Sequence, residues 1–153
     1  MSDINIDDFF KDAAIALVQL YGMFPRRHAL FVEDVCGPDE TDEFGMHSDR
    51  YLACFGTLLW LGEEGYVRYE QSIRQDAIDQ AVLTARCFTV LATPAPRPTP
   101  PDTDCNLPES IRVEQSTTIN RLRAALKARS SPQLRAEMVE LMTQMGTRLN
   151  VSS

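Results

Sequence analysis

Six of the nine prolines in this chain fall in the fifteen residues from Pro94 to Pro108. No other feature restricts the fold as much, because proline lacks a backbone donor and fixes φ, so neither a helix nor a central strand can run through such a stretch. It reads as a proline-rich linker in extended polyproline geometry, dividing the 153 residues into an N-terminal unit, 1–93, and a C-terminal segment, 109–153. Charge divides at the same place. Residues 1–93 carry 16 acidic and 7 basic side chains, and residues 94–153 carry 6 and 8. The net charge of −7 therefore resides in the N-terminal unit. Pro98-Thr99-Pro100-Pro101 behind Arg97 also fits a PxxP ligand, although a plain spacer is the commoner role of such a run.

Within 1–93, Phe10, Ala14, Leu17, Tyr21 and Phe24 recur at steps of four and three, which predicts an amphipathic helix from near Asp7 to Pro25. A short second helix is expected over Phe31–Val35, followed by a solvated acidic turn at Asp39–Glu43. Ser48 is placed to cap a third helix, with Tyr51, Leu52, Phe55, Leu58 and Leu59 as its buried stripe and Gly62–Gly65 as its end. The β-prone run Tyr66–Tyr69 and Ala81–Thr84 would pair across the polar excursion Gln71–Gln80. Thr84 would then cap a helix over Ala85–Ala92.

After the prolines, Ile119, Leu122 and Leu126 mark one face of a helix that also bears Arg121, Arg123, Lys127 and Arg129. Ser131, with Pro132 behind it, opens another, along which Leu134, Met138, Leu141, Met145 and Leu149 form a narrow apolar seam. Ser130 and Ser131 join the two as an antiparallel hairpin. A hairpin this short cannot bury both seams alone, so its apolar residues are expected to form an oligomer or partner interface, or to dock on the N-terminal unit. The expected class is mainly α, within α+β.

The order helix, helix, helix, two-stranded hairpin, helix resembles a winged helix-turn-helix domain over about residues 8–92. Leu59-Trp60-Leu61-Gly62-Glu63-Glu64-Gly65-Tyr66-Val67 is similar to the end of that family's third helix entering the wing. Leu83-Thr84-Ala85-Arg86 resembles the Leu-Thr-x-Lys/Arg that closes the wing in MarR-like and PadR-like regulators, with Cys87 where those usually have glycine. The resemblance implies either of two roles, since winged helices serve as protein-binding modules and as DNA readers. The acidic N-terminal unit favours the first: a non-enzymatic protein working through protein contacts, with homodimerisation through the C-terminal helices as the resemblance suggests. The alternative is a sequence-specific transcriptional regulator on double-stranded DNA. Its candidate contacts are Arg26, Arg27, Arg50, Thr57, Arg68 and Arg74, working against the repulsion of an acidic background.

Other chemistries lack their patterns. Cys36, His47 and Cys54 match no common zinc spacing, the glycines are dispersed singly, and Glu63-Glu64 is a helix-exit turn rather than an acid–base pair across a cleft. No catalytic residue, metal or cofactor is expected. The acidic first twenty residues lack the pattern of a secretory signal, and no apolar run is long enough to span a membrane, so the expected setting is the cytoplasm, with the four cysteines as thiols.

Overall fold

A computed structural model describes residues 4–96 and 107–151, with side chains to residue 146. The PxxP run, Arg97, Cys105 and the side chain of Leu149 lie outside the described residues. The chain is mainly helical with one small antiparallel sheet: α1 (Ile4–Met23), β1 (His28–Phe31), α2 (Val32–Cys36), α3 (Asp49–Glu63), β2 (Val67–Arg68), β3 (Gln71–Ile73), β4 (Ala77–Leu83), α4 (Ala85–Ala92), α5 (Glu109–Gln115), α6 (Thr118–Ala128) and α7 (Ser131–Val151). Among the described residues no helix is long and apolar enough to cross a membrane.

The helix starts follow local chemistry. Ser48 Oγ accepts from Tyr51 N–H and Thr84 Oγ1 from Cys87 N–H, so both expected caps form. At α7 the cap is displaced by one residue. Ser130 Oγ takes the Gln133 N–H, α7 opens at Ser131, and α6 closes on Arg129 in the left-handed region at φ 54. A further short helix, α5, precedes α6 where the sequence pattern indicates none.

The sheet departs most from expectation. β4 is its spine, pairing β1 on one side (Leu30 opposite Ile78) and β2 and β3 on the other (Val67 opposite Leu83, Ile73 opposite Ala77). His28–Phe31, expected to lead into a helix, is strand, and the helix begins only at Val32. The excursion Gln71–Gln80 is itself mostly ladder, turning at residues 74–76 with Arg74 at φ 52. The turn needs no glycine because other elements hold it: Tyr51 Oη donates to Asp76 Oδ1 and Val32 N–H to Asp76 O, each at 2.8 Å.

α1 is the central element. Ala13, Ala14, Ala16 and Leu17 are fully buried, and their short side chains let α3, α6 and α7 approach closely around the helix. It is covered on more than the single face that periodicity indicates. On α3 the buried residues are Tyr51, Cys54, Thr57, Leu58 and Leu61, while Leu52, Phe55 and Leu59 are only half-buried, which rotates the predicted stripe.

The C-terminal hairpin docks on its own chain. Ile119, Leu122, Leu134, Met138, Leu141 and Met145 are buried in one continuous core with α1 and α4, and Leu126 packs at its edge. Of the three surfaces expected to cover these seven residues, a partner, a second copy or the N-terminal unit, it is the N-terminal unit that does so, and they do not form an oligomer or partner interface here. The physical reason is that α1 and α4 offer apolar surface at intramolecular concentration. The end of α4 is also tied to the start of α6: Ala95 N–H donates to Ser116 O at 2.8 Å and Thr118 N–H to Thr93 O at 3.1 Å. Arg121, expected on the outer face of α6, is instead buried against Glu137 of α7, with Nε 3.1 Å from Oε1. Arg123 lies over the Tyr21 ring and Arg135 over the Phe10 ring, so two of the hairpin's basic residues meet α1 through aromatic faces.

Candidate functional site

α3 is the helix that carries two of the expected DNA contacts, Arg50 and Thr57, so its outward surface bears on what this chain can recognise. Asp49, Ala53, Gly56, Trp60 and Glu63 follow one another at steps of four and three and lie in a line along the helix. Ala53 and Gly56 are exposed, Trp60 is half-buried, and a Cβ added at Gly56 would meet no atom within 4 Å. The middle of this line is therefore small, apolar and open.

Beside it, α1 and α3 enclose a groove of about 480 Å³, lined by Asn5, Ile6, Asp8, Phe9 and Asp12 from α1 and Ala53, Gly56, Thr57 and Trp60 from α3. Its aromatic wall is braced edge to face by Phe9 on Trp60, with centroids 5.1 Å apart, and Trp60 stacks in turn on Tyr66 at 5.6 Å. One end is ionic. Arg50 Nη1 and Nη2 each lie 2.6 Å from a carboxylate oxygen of Asp12, and Arg50 Nε lies 3.4 Å from Asp8. The hydrogen bonds to Asp12 hold the guanidinium's pKa well above its ordinary value, outweighing the opposing effect of partial burial.

These contacts relocate the residues named as DNA contacts. Arg50 is held by two aspartates, and Thr57 is buried with Oγ1 donating to Ala53 O within its own helix. Arg26, Arg27, Arg68 and Arg74 are exposed, and Arg74 stands apart from Arg68. Arg27 pairs with Glu70 at 3.8 Å near the base of the hairpin, Arg68 stands opposite Val82, and Arg74 occupies the far turn beyond Ala77. Val82 and Ala77 are five residues apart on β4, on the order of 15 Å at strand rise.

A second cluster joins the loop before α3 to that far turn. His47 Nδ1 lies 2.7 Å from Asp39 Oδ2 and Nε2 lies 3.4 Å from Asp76 Oδ1, while the ring stacks on Tyr51 at 4.3 Å. Ser48 Oγ donates to Asp39 Oδ1 at 2.7 Å. Burial works against the Asp39 carboxylate, but hydrogen bonds from Ser48 and His47 outweigh it and hold its pKa below the ordinary value. Burial, then the bond to Asp76, pushes the Tyr51 hydroxyl up. Ser48 is engaged by Asp39 and by the helix start rather than by His47, so the group is a structural clasp and not a nucleophile with its base. The same loop presents Phe44 (81% exposed) and Met46 (63% exposed), positioned by two backbone bonds to Asp42 Oδ1.

Of the trio Cys36, His47 and Cys54, the Cys36 thiol donates to Gly37 O at 3.7 Å, Cys54 is fully buried, and the imidazole turns to Asp39 and Asp76. Among the described residues no group of three His, Cys, Asp or Glu side chains is placed to hold a metal ion. Sequence reasoning missed Asp12, Asp39 and Asp76 as partners, and Phe9 and Trp60 as groove walls. The available signal was Asp12 itself, a lone acid amid Ala13, Ala14 and Ala16. Compared with protein-family models, curated proteins and solved structures, this chain matches none of them.

Proposed function

We propose that this chain is a non-enzymatic, winged-helix-like module that acts through protein contacts made by the outer face of α3 and the groove beside it. The observation that carries this reading is the composition of that face: Ala53, Gly56 and Trp60 where a DNA reader needs polar and basic side chains, with the one arginine of the helix bound to Asp12. The helix, helix, helix, hairpin, helix order supports the winged-helix part, since β2 to β4 form the hairpin after α3 and α4 follows it. A small apolar helix surface flanked by an aromatic wall suits a packed protein partner, because it loses little ordered water or charge solvation on contact. Self-association through the C-terminal seam has no support, as that seam is filled from within.

The test is site-specific photocrosslinking in cells of the source organism, with a photoreactive residue at Ala53 and a control at exposed Lys127 on α6. A defined protein adduct from position 53 and not from 127 supports the reading. Adducts to DNA, or the same proteins at both positions, would overturn it. The DNA alternative is tested separately by titrating genomic fragments at two salt concentrations, where a reader loses affinity as salt rises.

A further inference from the structure

Four of the large apolar side chains left exposed among the described residues gather at one corner, around Asp76 in the turn between β3 and β4. Phe31 and Ile73 both stand opposite Ala77, so the register puts them on one side of the sheet, two strand spacings or about 10 Å apart. They are 43% and 36% exposed. The other two, Phe44 and Met46, belong to loop 37–48, and the clasp brings that loop to the same turn. His47, next to Met46, reaches Asp76, while Val32, next to Phe31, donates its N–H to Asp76 O. The exposure of Phe44 and Met46 is built into the loop. Asp42 Oδ1 takes both their N–H groups, Asp42 N–H donates to Met46 O at 3.1 Å, and Gly45 between them turns at φ 76.

The same stretch of chain carries a dense negative charge. Residues 28–49 hold seven acidic side chains and no lysine or arginine. Glu33, Asp34, Glu40 and Glu43 are exposed among them, and Arg74, in the turn itself, is the cation beside them. We propose that Phe31, Phe44, Met46 and Ile73 form a docking surface for a basic segment of a partner protein that carries large apolar side chains. Covering exposed apolar side chains of this size removes them from water, and methionine adapts to the shape that meets it. The acidic surround selects the occupant: nucleic acid and anionic lipid are repelled, and a segment bearing lysine or arginine is drawn in. A loop already held through Asp39, Asp42 and Asp76 loses little further freedom on contact. None of the four residues lines the groove beside α3, so the inference stands whether or not that groove binds a partner.

Full-length protein is titrated into a short, fluorescently labelled peptide of alternating lysine and leucine and, separately, into its glutamate and leucine counterpart, with anisotropy as the readout. The lysine peptide is expected to bind and to lose affinity as salt rises, and the glutamate peptide not to bind. Phe44→Ser with Met46→Ser should weaken the lysine peptide about tenfold. Glu40→Gln with Glu43→Gln should weaken it and reduce its salt dependence, whereas Glu109→Gln with Glu114→Gln, exposed on α5, should leave it unchanged. Circular dichroism confirms that each variant is folded. Equal binding of both peptides, binding of neither, or an equal loss from the α5 pair overturns the proposal, the last by revealing attraction to negative charge at large. Wild-type protein that sediments with phosphatidylcholine vesicles, or dimerises in solution, and ceases to do so when Phe44 and Met46 are changed also overturns it, because a membrane or a second copy is then the occupant.

Discussion

Both terminal guanidinium nitrogens of Arg50 close on the two carboxylate oxygens of Asp12, 2.6 Å each, and in doing so pin the first turn of α3 to the middle of α1. Asp12 is 1% exposed, so its charge depends on this one fork and on little water. Removing the arginine leaves a buried carboxylate unpaired.

Arg50→Ala is therefore expected to destabilise the fold by about 2 kcal/mol, below the usual cost of breaking a fully buried pair because the Arg50 side chain is 37% exposed. Urea unfolding measures it. The double variant Arg50→Ala, Asp12→Ala should cost less than the two single changes added together. Simple additivity would show that the pair is not coupled.

The His47 clasp makes a prediction in acid. Asp39 has its pKa lowered in the folded state, so its contribution is present above the unfolded carboxylate value, about 3.9, and is lost as pH falls through the folded value. Asp39→Asn should flatten the loss of stability below about pH 4 relative to wild type. A parallel acid limb in the two proteins would remove Asp39 from the account.

Met138 is fully buried where α7 meets the shared core. Met138→Ala should cost about 2–5 kcal/mol through lost transfer energy and the cavity left behind. Trp60, the sole tryptophan, sits on the far side of α1 and reports a different region. If one core holds the chain together, Trp60 fluorescence and circular dichroism will shift by the same amount in the melt. Separate transitions would mean that the hairpin unfolds by itself.

For the α3 surface, Gly56→Ala should be neutral or slightly stabilising, by up to about 1 kcal/mol, because the added methyl enters open space on a helix. Gly56→Arg should leave the melting temperature nearly unchanged while abolishing the adduct formed from position 53. Retention of that adduct would move the contact elsewhere.

Salt dependence separates the two functional classes. Changing Arg68 and Arg74 to Ala flattens the salt slope of a DNA reader by about one for each phosphate that the protein ceases to neutralise. A protein-contact module shows no saturable binding at low salt to begin with.

The sequence by itself determined what depends on neighbours along the chain. The caps at Ser48 and Thr84, the helical seams of the last two helices, the end of α4 before Pro94 and the predominance of helix over sheet are all set by short-range spacing and side-chain chemistry. Tertiary structure alone decided what each seam and charge faces. Leu134 to Met145 are apolar at helical spacing whether they meet a second copy or α1, and only the presence of α1 and α4 in the same chain selects between them. Arg50 looks free to read a base until α1 brings Asp12 beside it, 38 residues away. The turn at Arg74 shows no local signal because Tyr51 and Val32 hold Asp76 from outside. These are long-range pairings, whose energy appears only once distant segments have met, so no window of sequence contains them.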